Sequence, residues 1–156
     1  MLKFITDRTT RDVERWRHLH DKGWVNMSTA ERNEWLGEMK GRYSYTDMNR
    51  VETAVETLSA RLRELGYIHP PLSVKTDWSG LDCPTQGDMQ RYYGNVAVLR
   101  SVSPVYKNTP VTPTVSQKLN YSRANDLEQI LSDIDEITTK FPKAWYYAGE
   151  IFSGEV

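Results

Sequence analysis

Apolar residues recur at helical spacing in five stretches of this chain, separated by prolines, glycines and small polar residues. The sharpest pattern lies in TDMNRVETAVETLSARLRELG, where Met48, Val51, Val55, Leu58, Leu62 and Leu65 alternate three-residue and four-residue steps. That heptad spacing draws one apolar seam along a helix starting near Tyr45–Asp47, and Ala54 widens it. Gly66 follows where a left-handed cap is wanted. Burying each such side chain is worth roughly 1.5–3 kcal/mol before chain entropy is subtracted, so this helix needs a partner. A second seam of Leu127, Ile130, Ile134 and Ile137, with Leu131 beside it, predicts a helix from about Ser122 to Lys140. Phe141-Pro142 is expected to interrupt that helix, leaving AWYYAGEIFSGEV as a short helix or an extended tail.

Three further helices are marked by their first turns. Thr9 with Asp12 predicts a helix from Thr9 or Thr10 to Gly23, whose apolar residues are Val13, Trp16 and Leu19. Ser28 with Glu31 has the capping-box spacing, and Trp35, Leu36 and Met39 then read as a stripe ending at Gly41. Gly37 inside that stripe weakens it by about 1 kcal/mol relative to Ala. Thr85 with Asp88 starts a helix that carries Met89, Tyr93, Val96 and Leu99 on one side. Pro70, Pro71 and Pro84 exclude a continuous helix between the third and fourth, and SVSPVYKNTPVTPTVSQKLNYS excludes one before the fifth. Loops of that length without structure are uncommon, so the second of these is expected to lie along something. The fold expected is mainly α, an irregular bundle of about five helices with long Pro-rich connectors and an aromatic C-terminal tail. It is read as a single helical domain over 1–156, with 143–156 as an assembly tail.

Composition narrows the function classes. The chain has 156 residues, 38% hydrophobic and 26% charged, with a net charge of −1. Nothing global therefore draws it to nucleic acid or to an acidic membrane surface. Cys83 is the single cysteine, which rules out an intramolecular disulfide and a cysteine-based metal framework. MLKFITDRTTRDVERW turns charged after six residues, which does not read as a signal peptide, and no apolar run has the length of a membrane helix.

The chemistry-bearing residues are sparse. His18, His20 and Asp21 look like a metal cluster on paper, but helical residues two apart do not share a face. His69 stands apart, ahead of two prolines. Arg11, Arg15, His18 and Lys22 form a basic stripe mixed with Asp12, Glu14 and Asp21, the usual mark of a solvated face with local ion pairs. Cys83 precedes a proline with no histidine beside it, no acid–base carboxylate pair stands out, and no Gly-rich phosphate loop is present. The expectation is a protein with no catalytic residue, no cofactor and no metal.

Aromatics are the surplus, with 5 Trp and 9 Tyr. Trp16 and Trp35 fall on helical faces. Trp24, Trp78, Trp145, Tyr146, Tyr147 and Phe152 fall on connectors or the tail, where aromatics serve as interface anchors, as a sugar-stacking platform, or as plugs between helices.

Five segments, taken in order, carry a resemblance: DRTTRDVERWRHLHDKGW, MSTAERNEWLGEMKGRYSYTDMNRVETAVETLSARL, VKTDWSGLDCPTQGDMQRYYGNVAVLR, LNYSRANDLEQILSDID and AWYYAGEIFSGEV. Together they cover nearly the whole chain. This order resembles small virion structural proteins encoded among the tail genes of phages and prophages of Gram-positive bacteria. Its motifs are packing, capping and turn residues, and none is catalytic; the first helix here is richer in Arg and His than the pattern. The resemblance implies a non-enzymatic part of a tail, tail tip, baseplate or fibre attachment, made in the host cytoplasm and residing in the virion tail. Its partners would be other virion tail proteins and further copies of itself, with no nucleic acid and no membrane. The rival reading is a module that binds a host receptor or cell-wall glycan through its connector aromatics.

Overall fold

The computed structural model describes residues 2–153, with side chains described through Phe141. Five α-helices follow one another: α1 (Thr10–Lys22), α2 (Thr29–Leu36), α3 (Tyr45–Glu64), α4 (Gln86–Val102) and α5 (Tyr121–Ser153), with a 3-10 turn at Trp24–Asn26. The chain is mainly helical and bundle-like, with no strand among the described residues.

The core is where α3, α4 and α5 meet. Met48, Val51, Val55, Leu58 and Leu62 from α3 pack with Tyr92, Tyr93, Val96 and Leu99 from α4 and Leu127, Ile130, Leu131 and Ile134 from α5. Both predicted seams are therefore core, except at their ends. Leu65 follows the last residue of α3 and is half-buried, as is Ile137, because the packed layer has run out at both positions. Gly66 adopts φ 88. It closes α3 by a Schellman pair: Tyr67 N–H donates to the Leu62 carbonyl (2.9 Å) and Gly66 N–H to that of Arg63 (3.0 Å).

These three helices run parallel. Arg50 near the start of α3 meets Glu128 near the start of α5, and Arg61 near the end of α3 meets Asp135 and Thr139 further along α5. Met89, at the start of α4, lines the same cavity as Met48 and Ala124, so all three helices begin at one end. Parallel neighbours require a return connection. Twenty helical residues span about 30 Å, and an extended chain needs about nine residues to cover that. Residues 65–85 and 103–120 are those returns, which is why both are long and proline-bearing.

The helix starts match their sequence signals. Thr9–Asp12, Ser28–Glu31 and Thr85–Asp88 all form capping boxes, and a fourth pairs Ser44 with Asp47. Two expected helix ends are corrected. α2 stops at Leu36, not at Gly41: Gly37 caps it, with its N–H shared between the Asn33 and Glu34 carbonyls. The expected stripe therefore does not exist, and Leu36 is 74% exposed. α5 does not stop at Phe141-Pro142 but continues to Ser153. An interior proline removes one backbone hydrogen bond and costs about 3 kcal/mol. Propagation from a docked helix is cooperative, and the residues after Pro142 down to Ala148 include no further breaker.

α1 and α2 form a small antiparallel hairpin beside the bundle. Arg15 pairs with Glu34 (2.6 Å) and Lys22 with Glu31 (2.7 Å), and the rings of Trp16 and Trp35 stack 6.4 Å apart. The hairpin meets the chain beyond α2 through Gly41, where a Cβ would lie 2.0 Å from the Asp12 carbonyl oxygen. Gly41→Ala must displace backbone, and an expected loss of about 2–3 kcal/mol would appear in chemical denaturation. Gly94→Ala on α4 is the control: its Cβ meets nothing within 4 Å, so it should stabilise by up to about 1 kcal/mol.

The hairpin is also acid-sensitive. Hydrogen bonds from Lys22 and from the Ser28 backbone hold the Glu31 carboxyl at about 2, below its ordinary 4.5. A depressed carboxyl stabilises the fold fully above pH 4.5, and the contribution disappears as pH falls toward 2. Tryptophan fluorescence from the Trp16–Trp35 stack should change across that window, and Glu31→Gln should remove part of the change. Identical titrations for the two proteins would rule this out.

Candidate functional site

Three extended segments lie against the parallel helices, and each is held by polar side chains that project from helical backbone. Asn125 on α5 takes both backbone groups of Arg8: its Oδ1 accepts the Arg8 N–H (3.1 Å) and its Nδ2 donates to the Arg8 carbonyl (2.8 Å). Asn49 on α3 does the same for Trp78, at 2.8 and 2.9 Å. Asn95 on α4 donates to the Ser73 carbonyl at 2.7 Å. On the third segment, Thr109 donates its hydroxyl to Asp133, and Arg100 donates to the Thr109 and Pro110 carbonyls. An extended segment has no ladder of its own, so these bonds satisfy backbone groups that packing would otherwise leave dry.

The densest cluster joins the N-terminal segment to α3 and α5. Glu128 is fully buried. It accepts the Ile5 N–H (2.7 Å), Arg8 Nη2 (2.7 Å) and Arg50 Nη2 (2.8 Å). Asp47 accepts the same two guanidiniums at 2.9 and 2.5 Å while capping α3 through the Ser44 N–H. Two cations thus face two carboxylates, with the Arg8 side chain 1% exposed. Burial works against the Arg50 charge, but its bonds to Glu128 and Asp47 outweigh that and raise its pKa. A second buried acid, Glu52, accepts Arg91 (2.8 Å) and the Lys75 N–H (3.1 Å), tying the return connector to α3 and α4. Between these clusters the Tyr43 and Tyr92 hydroxyls bond each other at 2.5 Å, and burial pushes both phenols up. The clusters draw on DRT, YTDMNRVE, KTDW, RYY and ANDLE, stretches within the segments that carry the resemblance. Each carboxylate is balanced by guanidinium and backbone donors, so its chemistry here is fixing segments in place.

The interface candidates separate. Trp24 is 46% exposed, with Arg32 over its ring at 5.2 Å, beside Val25, which is 84% exposed. Trp78 is corrected: at 5% exposure it belongs to the core, drawn in by the Asn49 clamp, and offers no face to a partner. Trp145, Tyr146, Tyr147 and Phe152 fall on α5, and their side chains lie outside the described residues. The basic stripe resolves into ion pairs across the hairpin, since Arg15 and Lys22 meet Glu34 and Glu31. His20 stacks on Trp16. His69 is buried, with Nδ1 2.8 Å from the Pro70 carbonyl and Nε2 3.4 Å from Ser59.

A cavity of about 470 Å³ opens where the three parallel helices begin. Val13, Tyr43, Met48, Met89, Leu119 and Ala124 supply apolar wall. Arg8 and Lys40 also line it, each already paired with carboxylates, and no carboxylate lines it among the described residues. Among the described residues no three His, Cys, Asp or Glu gather as metal ligands would, and no helix is long and apolar enough to cross a membrane. Comparison with protein families, curated proteins and solved structures finds no match to this chain.

Proposed function

We propose that this chain is a non-enzymatic structural component of a phage or phage-derived tail, at the tail tip, baseplate or fibre attachment, and that it acts by protein–protein assembly. The observation that carries this reading is the length of α5. Its last buried side chain among those described is Thr138, yet the helix continues to Ser153. That continuation bears Trp145, Tyr146, Tyr147, Ile151 and Phe152. A helical end so rich in aromatic side chains suits contact with another chain. The side-chain clamps on the three extended segments support the same reading, because a particle component must present fixed surfaces. The rival glycan platform loses Trp78 to the core.

The test is particle composition. Mass spectrometry of purified particles from a host carrying the gene should find the protein at fixed stoichiometry, and cryo-EM should place it in the tail. Deleting the gene should give particles with incomplete tails. Particles that lack the protein and remain infective after the deletion would overturn the proposal.

A further inference from the structure

The α1–α2 hairpin bonds to itself and hardly to the bundle. Its buried apolar residues, Leu19 and Met27, stand outside the core cluster of α3, α4 and α5, and no other residue of 10–36 joins that cluster. The Trp16–Trp35 stack and the ion pairs Arg15–Glu34 and Lys22–Glu31 are all internal to the hairpin. Among the described residues, a single hydrogen bond joins 10–36 to the bundle, from the Thr10 hydroxyl to the Tyr121 hydroxyl at 2.9 Å, and no ion pair does. The side-chain clamps hold Arg8, Trp78 and Thr109 to the bundle, and none of them extends into the hairpin.

Open volume lies between the two parts. The cavity of about 470 Å³ is bordered by Val13 of α1 on one side and by Met48, Met89 and Ala124 of the bundle on the other. A second cavity, of about 220 Å³, is lined by Trp35 and Leu36 of α2 and by Tyr45, Thr46 and Asp47 at the start of α3. Close packing holds a docked element in one position, and here both helices of the hairpin border space instead. The attachment is at one end. Thr10 is the first residue of α1, and Gly41 passes so close to the Asp12 carbonyl that it has no room for a side chain. The tip at Trp24–Asn26 lies about 20 Å further along α1, so a bond at the base has little leverage over it.

We propose that residues 10–36 form a hinged arm, which turns as one body on its two connections, Thr9 and residues 37–42, and gates the cavity at the start of the bundle. Swinging in, the arm brings Val13 onto Met48 and Met89 and covers the apolar wall. Swinging out, it opens that wall to solvent, and the Thr10–Tyr121 bond is the latch that limits the opening.

Residual dipolar couplings of the backbone amides in the full chain test this, because they average over the μs–ms motions typical of hinged elements. Amides of α3, α4 and residues 121–141 should share one alignment. Amides of α1 and α2 should fit one orientation among themselves, with a smaller alignment magnitude than the bundle. Tyr121→Phe removes the latch and should lower the hairpin's magnitude further, while the bundle's magnitude and the melting temperature stay those of the parent. Val13→Phe fills the cavity from the arm and should raise the hairpin's magnitude toward that of the bundle. Met89→Phe, on the opposite wall, supplies the same filling should Val13→Phe fold poorly. Equal magnitudes for hairpin and bundle in the parent would overturn the proposal. So would α1 and α2 failing to fit a common orientation, since the hairpin would then be unravelling and not swinging. A reduced magnitude that responds neither to loss of the latch nor to filling of the cavity would overturn the gating device as well.

Discussion

Leu58→Asp should unfold this protein under conditions where the parent is fully folded. Leu58 is fully buried in the middle of the α3 seam, surrounded by apolar side chains of the three-helix core. A carboxylate there loses its hydration and gains no partner, so it either stays charged at high cost or takes up a proton. The side-chain volume removed adds a packing defect. An expected loss of roughly 4 kcal/mol or more is comparable to the whole stability of a small domain, about 5–15 kcal/mol. Glu56→Gln, two residues away on the exposed side of the same helix, should change stability by less than about 0.5 kcal/mol. Urea titrations followed by far-UV circular dichroism separate the two. Similar midpoints would mean that the α3 seam is not the core.

The seams were legible because a period of three and four residues is a property of one helix and survives any arrangement of its neighbours. The capping boxes were legible for the same reason: Ser28 and Glu31 bond within one turn. Direction between helices was not legible. An apolar stripe packs equally well against a parallel or an antiparallel partner, and only connector length hints at which. Here the two long returns carried that hint.

The polar clamps were half legible. Glu128 follows Ala124 by four residues and precedes Leu131 by three, which places a carboxylate on the apolar face of α5. Glu52 stands in the same relation to Met48 and Val55 on α3. An acid on a core face demands a cation, and the sequence does not say which of 20 Lys and Arg residues answers. Arg8 does so from 120 positions away. Trp78 misled for a related reason. A connector aromatic reads as surface unless something folds the connector back, and here that is the pair of bonds from Asn49.

Glu128→Leu is therefore the informative substitution of the buried cluster. The leucine fits a buried helical position, so packing changes little. What it removes is the acceptor of two guanidiniums and of the Ile5 N–H. Asp47 then faces Arg8 and Arg50 alone, and one buried positive charge stays uncompensated. Breaking a buried pair from one side costs about 3–5 kcal/mol, far more than the pair contributes relative to an apolar replacement of both partners. The damage should be directional: residues 2–8 lose their principal anchor, while the α3–α5 seam remains. Hydrogen exchange should accelerate first at the Ile5 and Arg8 amides, and a protease should cut the N-terminal segment before it cuts any helix. Pairing the substitution with Arg8→Met removes one surplus cation and should recover a large part of the loss. The exposed Glu136–Lys140 pair on the same helix is the comparison: Glu136→Gln there should leave the denaturation midpoint close to that of the parent. If Glu128→Leu proves as mild as Glu136→Gln, or if Arg8→Met adds to its loss instead of relieving it, the four charges are not acting as one buried clamp.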